Sequence, residues 1–518
     1  MARTDIAPLF HAEGRTLVRR PLIVWLLAFG MALVGGGVSA LGNLTVAIVF
    51  VGLLVALVVA PSRNAVFWFV VTSGLILVGV MQLYASVKYA RYVVPLVAAF
   101  LLLHAIMERL TQRKGPSREP VAEIVWWSLA FMLFTALSTI VNWAGVGNAI
   151  VGLKGYFQVW TLFFAMALIR WDDRFLDTLP RALLAIAFVQ LPFVLHEYFV
   201  IVPRRESLGG AVVAVDIVAG TFGANEFGGG ANAALTVFLF SVIACLLGVW
   251  KQGALSTRAL LGLTLVLLFP VFINETKISA IYLPMVIAIV FYRDIIERPG
   301  RFIAMGGVAV GVLVGLLTAL AVFQPSGKIK SIEDLVQFTI QTQMASTEER
   351  GSHYSELSRW TALTFWAQEH VHANPVNTLF GHGLGASRVQ ESGLELGASS
   401  LAESKYGGMQ IGYTAVSSLL WDTGLVGCGA MLGMFFAAFR TAGRLARYYA
   451  ARPVRAGVFE GLRAAVAILA LSLAHKDFLV FHIPFQTLIF LLFGYLVAAE
   501  HCARREQSVV IATRGCAQ

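Results

Sequence analysis

The feature that most constrains this chain is a series of long apolar blocks that recurs along almost its whole length. A run of about 20 apolar residues crosses the roughly 30 Å hydrocarbon core of a bilayer as a helix. Barrel strands fit poorly, because they alternate apolar and polar residues over only about 10 residues. Only 13% of the 518 residues are charged and 58% are hydrophobic, whereas soluble domains carry about 25% charged residues. The pattern predicts an all-α polytopic membrane protein.

The blocks predict about 14 transmembrane helices, each of a length that spans a bilayer. The predicted spans are 21–40, 44–60, 65–83, 91–106, 124–141, 155–169, 182–202, 231–249, 259–273, 277–291, 302–323, 423–439, 463–475 and 479–499. The first block resembles a signal peptide, but we expect an uncleaved helix because a second block begins at Leu44. One re-entrant hairpin is the alternative for this first pair.

The basic residues predict the orientation of the chain. With the N-terminus in the cytoplasm, cytoplasmic segments hold 26 Lys and Arg, short outer loops hold seven, and one long outer segment holds six. Cytoplasmic loops carry such an excess, and long segments are exempt from the rule. Both termini are therefore predicted to be cytoplasmic. We interpret the net charge of +10 as topology and expect no nucleic-acid partner.

Two predicted outer loops are longer than a connection requires, which is typical of functional loops. The first, 203–230, is rich in glycine, and the second, 324–410, contains helical stretches. The predicted organisation is a cytoplasmic tail at 1–20, eleven helices within 21–323, a large and partly helical outer loop at 324–410, an interfacial helix with three further spans at 411–499, and a cytoplasmic tail at 500–518.

Two of these outer segments carry candidate anion-binding residues. Glu275 and Lys277 lie in a very short turn, where Lys277 adds to the positive end of the following helix and favours a phosphate. A Glu275–Lys277 surface pair is the alternative. Arg204 and Arg205 precede the segment 220–225, whose glycines allow close backbone approach to a ligand. An ordinary loop with two interfacial arginines is the alternative there.

The long outer loop contains Arg359-Trp360 and the sequence Gly381-His382-Gly383-Leu384-Gly385. No strand–helix alternation surrounds these glycines, so they do not indicate a dinucleotide fold. Its histidines lack a carboxylate at ligand spacing, and we expect no metal or other cofactor. The segment 413–424 predicts a short interfacial helix, in which Trp421 lies at the headgroups and Asp422 caps the next helix.

A further pair, His196-Glu197, ends the seventh predicted span. A histidine titrates near neutrality and can act as a base, but a structural role at the membrane surface is the favoured interpretation.

Taken in order, these segments resemble the O-antigen polymerase and O-antigen ligase superfamily over about residues 180–500. The family's basic loop with Gly-Thr-Phe-x-x-x-Asn is similar to Arg204-Arg205 with 220–225. Its Thr-x-Ser-Arg-Gly-like helix start corresponds to 275–279, with a lysine where arginine is usual. The Arg-x-x-x-Trp-like helix and glycine stretch correspond to 359–366 and 375–385. The family's Glu-Thr-Gly-Leu-x-Gly corresponds to 422–427.

The resemblance implies a GT-C-like, metal-independent glycosyltransferase of a bacterial inner membrane, acting at the periplasmic face. Its donor would be a sugar chain on undecaprenyl pyrophosphate, and its other partners membrane lipids and polysaccharide assembly proteins. The implied pyrophosphate-binding residues are Lys277, Arg205, Arg204 and Arg359. Asn225 and Trp360 are the implied substrate-binding residues, and Glu275, His382 and Tyr413 the candidate catalytic ones.

One departure bears on the activity. The family's His-Asn pair, whose histidine is linked to the ligase branch, falls on Tyr413-Thr414. The leading hypothesis is therefore a polymerase of oligosaccharide units for exopolysaccharide, capsule or O-antigen, and a ligase-like transferase is the second. A polysaccharide or lipid transporter is the third, although the charges gather at the predicted helix ends rather than at mid-span.

Overall fold

The structure is a computed structural model that describes residues 62–111, 120–143, 145–207, 214–223, 230–274, 276, 278–297, 299–300, 307, 311, 357–371, 374–389 and 400–515. The predicted spans 21–40, 44–60 and 302–323 lie outside these residues. The chain forms two compact units, Met1–Val66 and Phe67–Gln518. In the first unit only residues 62–66 are described, and they begin a helix. The described residues of the second form helices and turns without any strand.

The described helices are numbered in chain order, and a helix that continues through a π or 3-10 turn counts once. They are α1 (Arg63–Leu83), α2 (Tyr89–Thr111), α3 (Glu123–Val141), α4 (Val146–Phe157), α5 (Trp160–Leu168), α6 (Asp173–Ser207), α7 (Ala231–Lys251), α8 (Thr257–Ile273), α9 (Ser279–Val290), α10 (Tyr292–Glu297), α11 (Arg359–Val371), α12 (Pro375–Phe380), α13 (Leu401–Ser404), α14 (Ala415–Tyr448), α15 (Pro453–Ser472), α16 (Phe478–Phe481) and α17 (Ile483–Gly515).

Seven described helices are long and apolar enough to cross a membrane: α1, α2, α3, α6, α7, α14 and residues Ile483–Ser508 of α17. The pair α4 and α5, bent by 52°, forms a further candidate, and α8 and α9 are apolar but shorter. The prediction of a helical membrane protein is confirmed. The described residues do not establish all 14 spans.

The helices α7 and α17 lie inside the bundle, whereas α3 lies at its edge. The apolar window of α17 is 94% buried and that of α7 is 78% buried, against 28% for α3. A helix that is apolar on every side is buried by its neighbours or by lipid. Accordingly α3 leaves Trp126, Leu133 and Ile140 exposed, which is the surface expected to meet lipid.

Small residues bring α7 and α15 into backbone contact. Gly457 and Gly461 lie four residues apart on α15. A Cβ on Gly457 would lie 2.5 Å from the Cα of Val249, and one on Gly461 would overlap the carbonyl oxygen of Ala244. Small residues at this spacing let two membrane helices approach closely without side chains between them.

Side-chain hydrogen bonds join neighbouring segments at each of the two ends of the bundle. At one end, Arg455 of α15 donates to Asp173 and Asp177 of α6 at 2.6 and 2.8 Å. At the other end, Asn142 Nδ2, just after α3, donates to the Gly381 carbonyl oxygen at 3.0 Å. Each contact joins segments that the charge pattern predicts on one side of the membrane. We call these the predicted cytoplasmic end and the predicted outer end.

The start of α14 differs in detail from its prediction. The predicted interfacial helix 413–424 and the span 423–439 form one helix, which begins at Ala415 and kinks at Gly424. Thr414 caps this helix, because its Oγ1 accepts a hydrogen bond from the Ser417 amide at 3.0 Å.

Two predictions for residues just before that kink are wrong. Asp422 does not cap a helix, because its carboxylate oxygens accept from the Ser387 amide at 2.8 Å and the Tyr156 hydroxyl at 3.0 Å. Trp421 does not lie at the headgroups. It is 0% exposed, and its ring packs against His370 with 4.8 Å between centroids. Both side chains instead hold α14 to other parts of the outer end.

Candidate functional site

The glycine-rich stretch between α12 and α14 packs directly on backbone. Gly381, Gly383 and Gly385 have φ values of 72°, 87° and 82°, which side chains rarely adopt. A Cβ on Gly383 would lie 2.7 Å from the Asn142 carbonyl oxygen, and one on Gly385 would lie 2.5 Å from that of Asn148. Gly383 and Gly385 therefore fit the long outer loop against the end of α3 and the start of α4, whereas Gly381 packs on the backbone of α14 at Asp422–Gly424.

The predicted ligand-approach segment near 220 is buried inside the protein. Gly220–Phe222 forms a 3-10 turn in contact with α1 and α6. Glu197 of α6 is 0% exposed, and its Oε2 accepts from the amides of Ala219 and Gly220 at 2.9 and 2.7 Å. Because this carboxylate is buried and accepts two backbone hydrogen bonds, the geometry supports the favoured, structural interpretation for Glu197.

Arg359 begins α11 at the predicted outer end. Its Nε donates to the His475 carbonyl oxygen at 2.7 Å, and a second guanidinium nitrogen lies 3.5 Å from His475 Nε2. Burial lowers the pKa of Arg359, while Tyr413, Tyr282 and Asp216 favour its charged form. An arginine remains protonated under such a shift. A turn carbonyl thus holds a cation in a fixed position.

Lys476 brings a second cation to the same place. Its Nζ lies 5.2 Å from the ring centroid of Tyr413, and its carbonyl oxygen accepts from the Ala415 amide at 3.1 Å. Within the described part of the chain, no carboxylate oxygen lies within 4.0 Å of a side-chain nitrogen of Arg359 or Lys476. Both cations therefore retain their capacity to attract an anion.

The carboxylate of Asp216 also belongs to this site, because its charge acts on Arg359. Asp216 belongs to the 3-10 turn Ala214–Ile217, and its Oδ1 lies 3.4 Å from Nδ2 of Asn232 at the start of α7. Its charge acts on the Arg359 guanidinium. We name the group formed by these side chains the outer cluster; its members are Asp216, Arg359, Tyr413, His475 and Lys476.

His382 lies in a separate aromatic group. Its Nε2 is 3.0 Å from Nε2 of His370, whose Nδ1 lies 2.8 Å from the Trp366 carbonyl oxygen. The carbonyl requires His370 Nδ1 to donate, so His382 donates to His370 Nε2. Burial lowers the pKa of His382 to about 4. The ring is therefore neutral at pH 7 and is engaged with another histidine.

The structure brings two of the predicted site residues together. Arg359 and Tyr413 both belong to the outer cluster, although Arg359 begins α11 and Tyr413 lies two residues before α14. Arg205 is buried at the end of α6, in the segment that contacts the turn carrying Asp216. Arg204 and Trp360 are exposed.

Three other predicted site residues lie outside the described part of the chain: Glu275, Lys277 and Asn225. Neither His475 nor Asp216 is among the predicted site residues, and Lys476 contributes only to the predicted topology. The signal for His475 and Lys476 was their position in a charged triplet between two apolar blocks. Asp216 gave no such signal.

The fold and this site together define a polytopic helical membrane protein with a cationic cluster at one end of its bundle. No family model matches the chain, and no curated protein matches it. Among the described residues, no group of three His, Cys, Asp or Glu side chains has a geometry that could hold a metal ion.

Proposed function

We propose that this chain polymerises lipid-linked oligosaccharide units at the periplasmic face of a bacterial inner membrane, with both termini in the cytoplasm and the outer cluster as its active site. The observation that supports this most is the pair Arg359 and Lys476. Both cations lie near Tyr413, with no carboxylate within 4.0 Å in the described residues. The order of motifs similar to the O-antigen polymerase and ligase superfamily adds to this support.

In the proposed reaction, a sugar hydroxyl of the acceptor attacks the anomeric carbon of the donor. The bond from that carbon to the pyrophosphate oxygen breaks, and its electron pair leaves with undecaprenyl pyrophosphate. Arg359 and Lys476 stabilise the growing negative charge, because fixed charges aimed at a leaving group lower the barrier without reorganising. Asp216 accepts the proton of the attacking hydroxyl.

Elongation of a purified lipid-linked oligosaccharide by the purified chain tests this proposal. We expect Arg359→Gln and Lys476→Gln each to lower the rate of elongation by about 100-fold, the effect of removing one fixed donor to a developing charge. Lys405→Gln is the matched control. Lys405 lies in the same outer region but pairs with Glu369 at the surface, at 2.8 Å, so its loss should leave the rate unchanged.

The products distinguish the hypotheses. Full-rate elongation by both cluster variants would reject the outer cluster as the active site. Transfer of finished polymer to another acceptor, without elongation, would support the ligase-like activity instead. Movement of the lipid-linked sugar across liposomes with no new glycosidic bond would support the transporter.

A further inference from the structure

A basic cleft opens at the predicted cytoplasmic end, among the ends of α7, α10, α14 and α15. Its volume is about 650 Å³, a size that accommodates a drug-sized ligand. Six lining side chains are basic: Lys251, Arg293, Arg440, Arg444, Arg447 and Arg463. Only three are acidic: Asp294, Glu297 and Glu460. Six positive groups against three negative ones leave a net charge of +3, which favours an anion.

Some of these cations are engaged in ion pairs that tie helices together. Lys251 Nζ lies 2.7 Å from Glu460 Oε1, which joins α7 to α15. Arg444 lies 3.3 Å from Glu123 and 3.5 Å from Glu500, which joins α14 to α3 and α17. These pairs are structural and leave less charge for a ligand.

Arg447 and Arg463 differ from them. Neither has a carboxylate oxygen within 4.0 Å among the described residues. Arg447 Nε donates to the Gly443 carbonyl oxygen of its own helix at 3.3 Å. The Arg463 guanidinium carbon lies 4.4 Å from the ring centroid of Phe439 and 5.1 Å from that of Tyr292. A stacked guanidinium still offers a planar fork to phosphate. Because the two arginines come from different helices, they suit two phosphates on one headgroup.

The face of α14 that leads to the cleft is apolar and exposed. Leu425, Leu432 and Phe436 are 47%, 44% and 59% exposed. One turn further, the Arg440 guanidinium lies 5.7 Å from the Phe436 ring centroid. Steps of four or seven residues keep these side chains and Arg447 on one side of the helix. On a membrane helix such a face meets acyl chains, and arginines at its end reach the headgroups.

We propose that this cleft binds the headgroup of an anionic phospholipid with two phosphates, of the cardiolipin class, whose acyl chains lie along Leu432 and Phe436. The apolar stripe favours a lipid over a free phosphate, because a soluble anion gains nothing from that surface. Basic pockets between helices on the cytoplasmic side of membranes take such headgroups. The site is at the opposite end from the outer cluster and does not depend on glycosyl transfer.

Native mass spectrometry of the purified full chain tests the proposal, with tetraoleoyl cardiolipin as probe and dioleoyl phosphatidylethanolamine as reference lipid. We expect the double variant R447Q/R463Q to lower cardiolipin affinity about thirtyfold, the equivalent of about 1 kcal/mol for each cation lost. The matched control is R174Q/R258Q. It removes two exposed arginines from the same end, outside the cleft, and should bind cardiolipin as the wild type does.

A second variant fills the cleft without changing its charge. A Cβ on Gly443 would lie 3.6 Å from Arg463 Cδ, an ordinary contact, so the helix accepts a side chain there. Gly443→Phe should also lower the affinity for cardiolipin. This variant tests the proposal if the double variant R447Q/R463Q fails to fold. Equal binding of both lipids by the wild type would overturn the proposal, as would equal losses in the cleft and control variants. Displacement of cardiolipin by equimolar inorganic pyrophosphate would show a site for free phosphates instead.

Discussion

The His475 imidazole lies beside the Arg359 guanidinium, and its removal from water makes the fold sensitive to acid. Burial lowers the pKa of His475 from 6.5 to about 3, and the charges of Arg359 and Lys476 add to the shift. Between these two pH values the unfolded chain binds a proton that the folded chain does not. The contribution of His475 to stability is therefore complete above pH 6.5 and is lost as the pH falls towards 3.

Thermal unfolding in detergent across this pH range measures the effect. His475→Gln, which is neutral at every pH, should remove up to about 2 kcal/mol of the destabilisation seen at pH 5, since each pKa unit is worth about 1.4 kcal/mol. Arg174→Gln, an exposed substitution, should leave the pH profile unchanged. If the wild-type and His475→Gln profiles coincide, His475 is not held neutral in the fold.

Only part of the outer cluster is predictable from the sequence. Arg359 and Tyr413 are predicted site residues because they lie in segments that resemble a family of transferases. His475 lies 116 residues beyond Arg359 and contacts it only through a fold that crosses the bundle. No spacing rule connects such residues. The glycines 381–385 were noticed as a pattern, but their role in backbone packing follows from φ values that the pattern does not contain.

The contact between α7 and α15 depends on glycines, and substitution of one of them tests it. A Cβ on Gly461 would overlap the Ala244 carbonyl oxygen, so the helices must separate to accept it. We expect Gly461→Ala to destabilise the protein by about 1–3 kcal/mol, the usual cost of overpacking. Gly262→Ala is the control, because its Cβ would meet no heavy atom within 4 Å. It should be neutral or stabilising by up to about 1 kcal/mol.

Unfolding temperatures of the two variants in one detergent compare them directly. A Gly461→Ala variant as stable as Gly262→Ala would mean that α7 and α15 do not pack through these glycines. The sequence contained this Gly-x-x-x-Gly spacing at 457 and 461. It lies outside the predicted span, which begins only at residue 463.

The predicted span for α15 begins too late for a physical reason, which shows where a hydropathy window fails. α15 begins at Pro453, ten residues before its predicted span, and its first turns carry Arg455 and Glu460. Hydropathy counts each charge as a cost. In the fold, however, Arg455 is bonded to Asp177 at 2.8 Å, and Glu460 to Lys251 at 2.7 Å. A sequence window does not contain these partners. Long apolar helices whose charges lie only at a terminal residue, including α1, α3 and α7, match their predicted spans to within a few residues.

At the scale of the whole molecule, the two ends of the bundle differ in chemistry. The predicted cytoplasmic end carries arginines in ion pairs and the basic cleft, and the predicted outer end carries the long loop and the outer cluster. The excess of basic residues, 26 against seven in the short loops, predicts that the first of these ends faces the cytoplasm. This assignment decides which compartment supplies the ligand of each site, so both proposals depend on it.

Cysteine labelling in intact cells tests this orientation. In a background with the four native cysteines replaced, Lys405→Cys lies at the predicted outer end and Arg174→Cys at the predicted cytoplasmic end, and both positions are exposed. We expect a membrane-impermeant maleimide to label the first in intact cells and the second only after permeabilisation. Labelling of both after permeabilisation controls for accessibility. The reverse pattern would place the outer cluster in the cytoplasm, where a lipid-linked donor presented at the periplasmic face cannot reach it.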